Sequence, residues 1–133
     1  MKNSKIKLSS DWKIHRDVFY DINPWDDTIP EDERYTNVHI QEDLFLIELK
    51  GNCLDLGWYG GVENGFFGLH LFHGNDWHNC HLLEKREIKD YDELISTINR
   101  IIENVEMGKY DSIDFRNESI DDYSNQETVI TFE

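Results

Sequence analysis

Cysteines, prolines and long apolar runs are all scarce in this sequence. Cys53 and Cys80 are its only cysteines, and two thiols make no disulfide framework in a chain of 133 residues, which is long enough to build a core without cross-links. No apolar run reaches the roughly 18 residues of a membrane-spanning helix, and the N-terminus lacks the apolar segment of a signal peptide. These absences predict a single cytoplasmic domain over residues 1–133, with reduced thiols.

Basic side chains are scarce as well. The chain has 13 Lys and Arg against 28 Asp and Glu, for a formal net charge of -15. A negative surplus of this kind repels phosphate backbones and anionic headgroups and attracts basic surfaces. We therefore expect neither nucleic acid nor a membrane as a partner. Residues 1–16 are the exception, because they hold five basic residues and one acid, and this predicts a basic N-terminal arm.

The middle of the chain is rich in apolar and β-favouring side chains and predicts a sheet. Four such segments, separated by turns rich in Gly and Asn, cover residues 41–51, 54–59, 66–73 and 77–84. Their short connections predict an antiparallel meander. A short closing strand is also predicted over residues 127–132.

The clearest helix follows, over residues 90–107. Asp90 can cap it, Glu93 stands at the capping-box position, and Gly108 offers a stop. The side chains expected to pack on the sheet recur at three- and four-residue spacing, and they are Tyr91, Leu94, Ile95, Ile98, Ile101, Ile102 and Val105. The sequence thus predicts an α+β fold, an antiparallel meander sheet packed by one main C-terminal helix.

One short segment concentrates side chains that could bind a metal or act as nucleophiles, namely His70, His73, His78, Cys80 and His81. Zinc needs three or four converging ligands, whereas strand residues an odd number apart point to opposite faces. No zinc-finger or zinc-protease spacing occurs, and neither cysteine lies in the electropositive setting that favours a thiolate. We predict no cofactor, no metal site and no catalytic residue. A metal-dependent or thiol enzyme that uses this cluster remains an alternative.

Two irregular acidic segments, about 21–36 and 109–126, also carry aromatic side chains. Acidic stretches usually form solubilising surface, but aromatic anchors surrounded by charge are typical of interface hot spots. We predict that at least one of these segments binds a protein partner. The predicted contact residues are Trp25, Asp26, Asp27, Glu31, Asp32, Glu33, Tyr35, Asp111, Asp114, Asp121, Asp122 and Tyr123.

A series of motifs runs through the predicted sheet and helix, and consists of Leu56-Gly57-Trp58-Tyr59, Gly65-Phe66-Phe67, Leu69-His70-Leu71-Phe72, Asp76-Trp77 and the helix from Asp90. Over roughly residues 54–107 this series resembles small bacterial immunity proteins, the cytoplasmic antidotes of contact-dependent inhibition and other polymorphic toxin systems. The resemblance implies that the chain binds a cognate toxin domain, often a basic nuclease, and blocks its active site or its access to substrate. Such families share no catalytic residues, and Trp58, Tyr59 and Trp77 are expected in the core. An acidic mimic of nucleic acid is a further alternative.

Overall fold

A five-stranded antiparallel sheet forms the centre of the described part of the chain. The computed structural model describes residues 3–19, 21, 23–30, 43–60, 64–74 and 80–111. The strands are β1 (Lys13–Asp17), β2 (Phe45–Leu49), β3 (Asn52–Tyr59), β4 (Phe66–Gly74) and β5 (Cys80–Ile88). Each strand pairs with the next one in the sequence, so the spatial order is also the chain order. The predicted meander and the α+β class are confirmed, whereas the closing strand predicted over 127–132 lies outside the described residues.

The strand β1 corrects the interpretation of residues 1–16 as an arm. It pairs antiparallel with β2, with a bulge between Ile14 and Arg16. Four of its five side chains are exposed, because it lies at the end of the described sheet. An exposed edge strand carries charged residues on both faces, so it lacks the alternation of apolar and polar residues that predicts a strand.

The residues before β1 pack along the helix rather than extending away from the fold. The backbone N–H of Lys7 donates to Asn99 Oδ1 at 2.9 Å, and the Ser9 N–H and Trp12 Nε1 each donate to Glu106 Oε2 at 2.9 Å. Burial alone raises the pKa of Glu106, but these hydrogen bonds outweigh burial and lower it. The N-terminal segment is thus attached to the helix by hydrogen bonds at both Asn99 and Glu106.

The helix α1 (Tyr91–Glu106) begins and ends where the sequence predicts. The carboxylate of Asp90 accepts a hydrogen bond from the Glu93 N–H at 2.9 Å, and Gly108 adopts a positive φ of 76° just beyond the C-terminus. All seven side chains of the predicted apolar stripe are buried. Within the described ranges, no helix is both long and apolar enough to span a membrane.

The main core lies between the sheet and α1. Alternate residues of β3 and β4 point into it, and these are Leu54, Leu56, Trp58, Phe67, Leu69 and Leu71. Trp58 is 1% exposed, so its predicted place in the core is confirmed. The same prediction is wrong for Tyr59, which is half-buried on the opposite face of the sheet, because neighbouring strand residues point to opposite sides. Its ring covers Gly68 so closely that a Cβ on that glycine would come within 2.4 Å of Tyr59 Cε2. Trp77 lies outside the described residues.

A bulge in β5 shifts which of its side chains point to each face of the sheet. Leu71 pairs with Glu84 but Phe72 pairs with Leu82, so β5 holds one extra residue at this point. Leu82 joins a small second cluster with Cys53 and Phe72 on the face away from α1. Cys53 thus packs as a small buried apolar residue.

The same bulge places one carboxylate beneath the helix. The side chain of Glu84 is completely buried, and its Oε2 lies 2.5 Å from Arg100 Nη2 of α1 and 2.8 Å from Arg86 Nε. Arg100 Nη1 also donates to Oε1 at 3.3 Å. An ion-paired carboxylate therefore joins β5 to α1.

Candidate partner-binding surface

Trp25, a predicted contact residue, attaches the first acidic segment to the core. Its ring centroid lies 5.3 Å from that of Trp58 and 5.7 Å from that of Phe67, edge-on to the latter. Both of these rings are buried, so they hold Trp25 in one orientation. Trp25 itself is only partly buried, and the remainder of its surface can contact a partner.

Two side-chain turns fix the backbone on either side of Trp25. Asn23 Oδ1 accepts a hydrogen bond from the Trp25 N–H at 3.0 Å. Asp26 Oδ1 accepts from the Thr28 N–H at 3.0 Å and from Thr28 Oγ1 at 2.6 Å. Asn and Asp stabilise turns in this way because their short side chains reach the backbone two residues on. The carboxylate of Asp26 therefore supports the turn, while the neighbouring Asp27 is exposed.

The second acidic segment is described only at its start. Asp111 Oδ2 lies 3.8 Å from Lys50 Nζ, and both side chains are about half exposed, so this is a surface ion pair of small energetic weight. The other predicted contact residues lie outside the described residues, and these are Glu31, Asp32, Glu33, Tyr35, Asp114, Asp121, Asp122 and Tyr123.

A hydrogen-bond network at the start of α1 anchors the first acidic segment through Asp21. The Tyr91 hydroxyl donates to Asp21 Oδ1 at 2.7 Å and accepts from Asn3 Nδ2 at 3.0 Å. Burial, together with the hydrogen bond to Asp21, raises the pKa of Tyr91, so the phenol keeps its proton. Lys5 Nζ lies 3.3 Å from the same carboxylate oxygen and 5.4 Å from the Tyr91 ring centroid.

An open depression lies between this network and Trp25. Its volume is about 350 Å³, and its lining residues are Asn23, Trp25, Lys89, Asp90 and Tyr91. Only Trp25 of this set is among the predicted contact residues. The sequence gives little signal for the others, because Asp90 and Tyr91 have complete explanations as a helix cap and a core residue.

His70, the histidine near the centre of β4, is buried and neutral. His70 is 7% exposed and lies between Asp55 of β3 and Lys85 of β5 in the register of the sheet. Burial, and then the charge of Lys85, lower its pKa to about 4. The Tyr59 ring meets the His70 ring edge-on, with 6.5 Å between centroids. A histidine so enclosed is poorly placed to meet a substrate.

The remaining described histidines of the cluster lie near the end of the sheet. His73 Nδ1 is 3.0 Å from Asn52 Oδ1, and its register partner on β5 is His81. Burial, followed by His81, lowers the pKa of His73. In the described part of the chain, no three His, Cys, Asp or Glu side chains are grouped so that they could hold a metal ion. His78 and the side chain of Cys80 lie outside that part.

No family model, no curated protein and no solved structure matches this chain. Its function is therefore inferred from its motifs, its charge and the geometry of its described residues.

Proposed function

We propose that the chain is a cytoplasmic bacterial immunity protein. In this proposal it binds a cognate toxin domain, a basic nuclease, and blocks the active site of the toxin or its access to substrate. The observation that carries the proposal is the exposed acidic turn after Trp25, which the core holds in place. The motif series over roughly residues 54–107 and the net charge of -15 favour the same function.

The fixed turn favours binding because it reduces the entropy lost on association. A loop that orders only in a complex loses conformational freedom at that moment, and this loss weakens affinity. Here the Trp25 ring is packed on Trp58 and Phe67, and Asn23 and Asp26 already close their turns. Asp27 is therefore exposed on a turn that is already ordered before a partner binds.

Charge is expected to act mainly on the rate of association. Exposed ion pairs contribute about 0 to 1 kcal/mol each, and salt screens them over about 8 Å at physiological ionic strength. Long-range attraction between an acidic surface and a basic partner nevertheless accelerates encounter. The carboxylates would then occupy the toxin surface that otherwise binds nucleic acid phosphates.

Charge reversal in each acidic segment tests this proposal. The first variant combines Asp27→Lys, Asp32→Lys and Glu33→Lys with Asp26→Asn, because an amide oxygen at position 26 can still accept the hydrogen bonds from Thr28. The second reverses Asp111, Asp114, Asp121 and Asp122 to Lys. We expect at least one variant to associate more slowly with the toxin encoded beside the gene, in stopped-flow measurements at low salt, with an unchanged Tm.

A matched control changes the same total charge as the first variant elsewhere on the surface. It combines Asp11→Lys, Glu87→Lys and Glu103→Lys with Asp43→Asn, all at exposed positions outside the two segments. We expect its association rate to change less than that of the more affected segment variant. The proposal is contradicted if both segment variants associate at the wild-type rate and still protect cells from the toxin.

A further inference from the structure

The depression beside Trp25 has the size and the walls of a side-chain binding site. Its volume of about 350 Å³ is at the lower end of the range for ligand pockets, as a site for a small group requires. One of its lining residues is Trp25, whose ring packs on Trp58 and Phe67. Another is Asp90, whose side chain is exposed although it also caps α1.

An aromatic wall of this kind attracts cations. The face of an indole ring carries negative potential, and tryptophan binds cations more strongly than the other aromatic residues do. The protein already has one such contact beside the depression, where Lys5 Nζ lies 5.4 Å from the Tyr91 ring centroid. This end of α1 therefore accepts a positive charge against an aromatic ring.

The charges around the depression also favour a cation. The N-terminus of a helix carries about half a positive charge, and this partial charge repels cations. Asp90 lines the depression, and Asp92 and Glu93 follow in the first turn of α1, so the carboxylates at this end of the helix outweigh its dipole. Among the residues that the structure describes, Lys89 is the one cation that lines the depression, and it is exposed, so its side chain can extend into solvent when the site is filled.

We propose that the depression binds one arginine side chain of the basic partner, with its guanidinium group against the Trp25 indole and ion-paired with Asp90. Arginine is preferred to lysine because its planar guanidinium stacks on aromatic rings and pairs with a carboxylate through two donors. This inference rests on the proposed function, since it assigns a contact within the proposed toxin interface. It also makes a claim that can be tested without the toxin.

The direct test is a titration with N-acetyl-arginine amide followed by two-dimensional NMR. We expect saturating shifts of the Trp25 indole N–H and of the Asn23 and Tyr91 amides. We expect the citrulline analogue, which has nearly the same shape but no charge, to cause much smaller shifts. Equal shifts with both compounds would overturn the proposal, because binding would then not depend on the cation.

Two variants establish the sign of the charge that the depression prefers. Asp90→Ser removes the carboxylate but keeps a good helix cap, and we expect it to weaken arginine binding roughly 2- to 5-fold, as for an exposed ion pair. Lys89→Gln removes the competing cation and should strengthen binding. Asp92→Asn is the matched control, because it removes an exposed charge from the same turn without lining the depression. Weaker binding in the Lys89→Gln variant would overturn the proposal.

The toxin complex separates this inference from the proposed function. We expect Asp90→Ser to shorten the lifetime of the complex and Asp92→Asn to have a smaller effect. If charge reversal of the acidic segments slows association but Asp90→Ser leaves the lifetime unchanged, the arginine contact is wrong and the immunity function stands. If arginine binds as expected but no toxin is neutralised, the immunity function is wrong and the depression is still a cation site.

Discussion

The buried carboxylate of Glu84 allows a sharp test of how β5 is held to α1. The substitution Glu84→Gln keeps the shape of the side chain but removes the charge that Arg86 and Arg100 face. Breaking a buried ion pair on one side costs about 3 to 5 kcal/mol. The two arginine side chains are 38% and 24% exposed, so water can solvate part of their charge. We therefore expect a loss near the lower limit, about 3 kcal/mol in the free energy of unfolding.

Urea unfolding and calorimetry measure this loss. For a chain of this length, about 3 kcal/mol corresponds to a fall of roughly 10 to 15 °C in Tm. Replacing Glu84 and Arg100 together by Met should recover part of the stability, because the two apolar side chains need no charge partner and Arg86, which is 38% exposed, can be solvated by water. The control is Glu87→Gln in the same strand, where the side chain is exposed and no loss is expected.

A second measurement follows the charge of Glu84 directly. Burial, and then Glu84, raise the pKa of Tyr110 to about 12. In the Glu84→Gln variant an absorbance titration should show one tyrosine ionising at lower pH. If Glu84→Gln and Glu87→Gln cost equally little, or if no tyrosine pKa falls, the ion pair does not have the role assigned to it here.

Two further predictions concern the core and the central histidine. Ile98 is 0% exposed, so Ile98→Ala should cost about 2 to 5 kcal/mol in urea unfolding, and a cost below about 1 kcal/mol would contradict its packing on the sheet. The pKa of His70 is about 4 in the folded chain and 6.5 in the unfolded chain, so the unfolded state binds more protons between these values. Stability should therefore fall by up to about 3 kcal/mol as the pH drops from 6.5 to 4, and His70→Gln should reduce this dependence in denaturation curves measured across that range.

The helix and the inner strands could be predicted because their local patterns agree with their environment. In α1 the cap, the apolar spacing and the terminal glycine all indicate the same limits. The last predicted strand, by contrast, ends at residue 84, although β5 continues to Ile88. The last residues of β5 include Lys85, Arg86 and Glu87. A run of charged residues lacks the apolar pattern from which a strand is predicted. The buried charge of Glu84 is tolerated because Arg100 pairs with it. Arg100 belongs to α1, so the sequence of the strand alone does not reveal this pairing.

The candidate site could be predicted only in its composition. An acidic segment with an aromatic residue is visible in the sequence, and Trp25 and Asp27 are found at or near the surface as that pattern suggests. The depression could not be predicted, because it joins Asn23 to the start of α1 through tertiary contacts. Tyr91 and Asp21, which meet beneath it, are 70 residues apart in the chain. The turn-forming role of Asp26 also depends on backbone geometry that composition does not specify.

The attachment of residues 3–12 to α1 has a consequence for how the chain folds as it is made. Consecutive strands of the meander β2 to β5 are neighbours in sequence, so they can pair soon after each one is synthesised. Residues 3–12 are synthesised before these strands, but their partner Glu106 lies 97 residues beyond Ser9, so the hydrogen bonds to it must wait until α1 is complete. We therefore expect residues 3–12 to reach their final positions only after the strands have paired, and Ile6 and Trp12 to stay accessible to chaperones until α1 has been made.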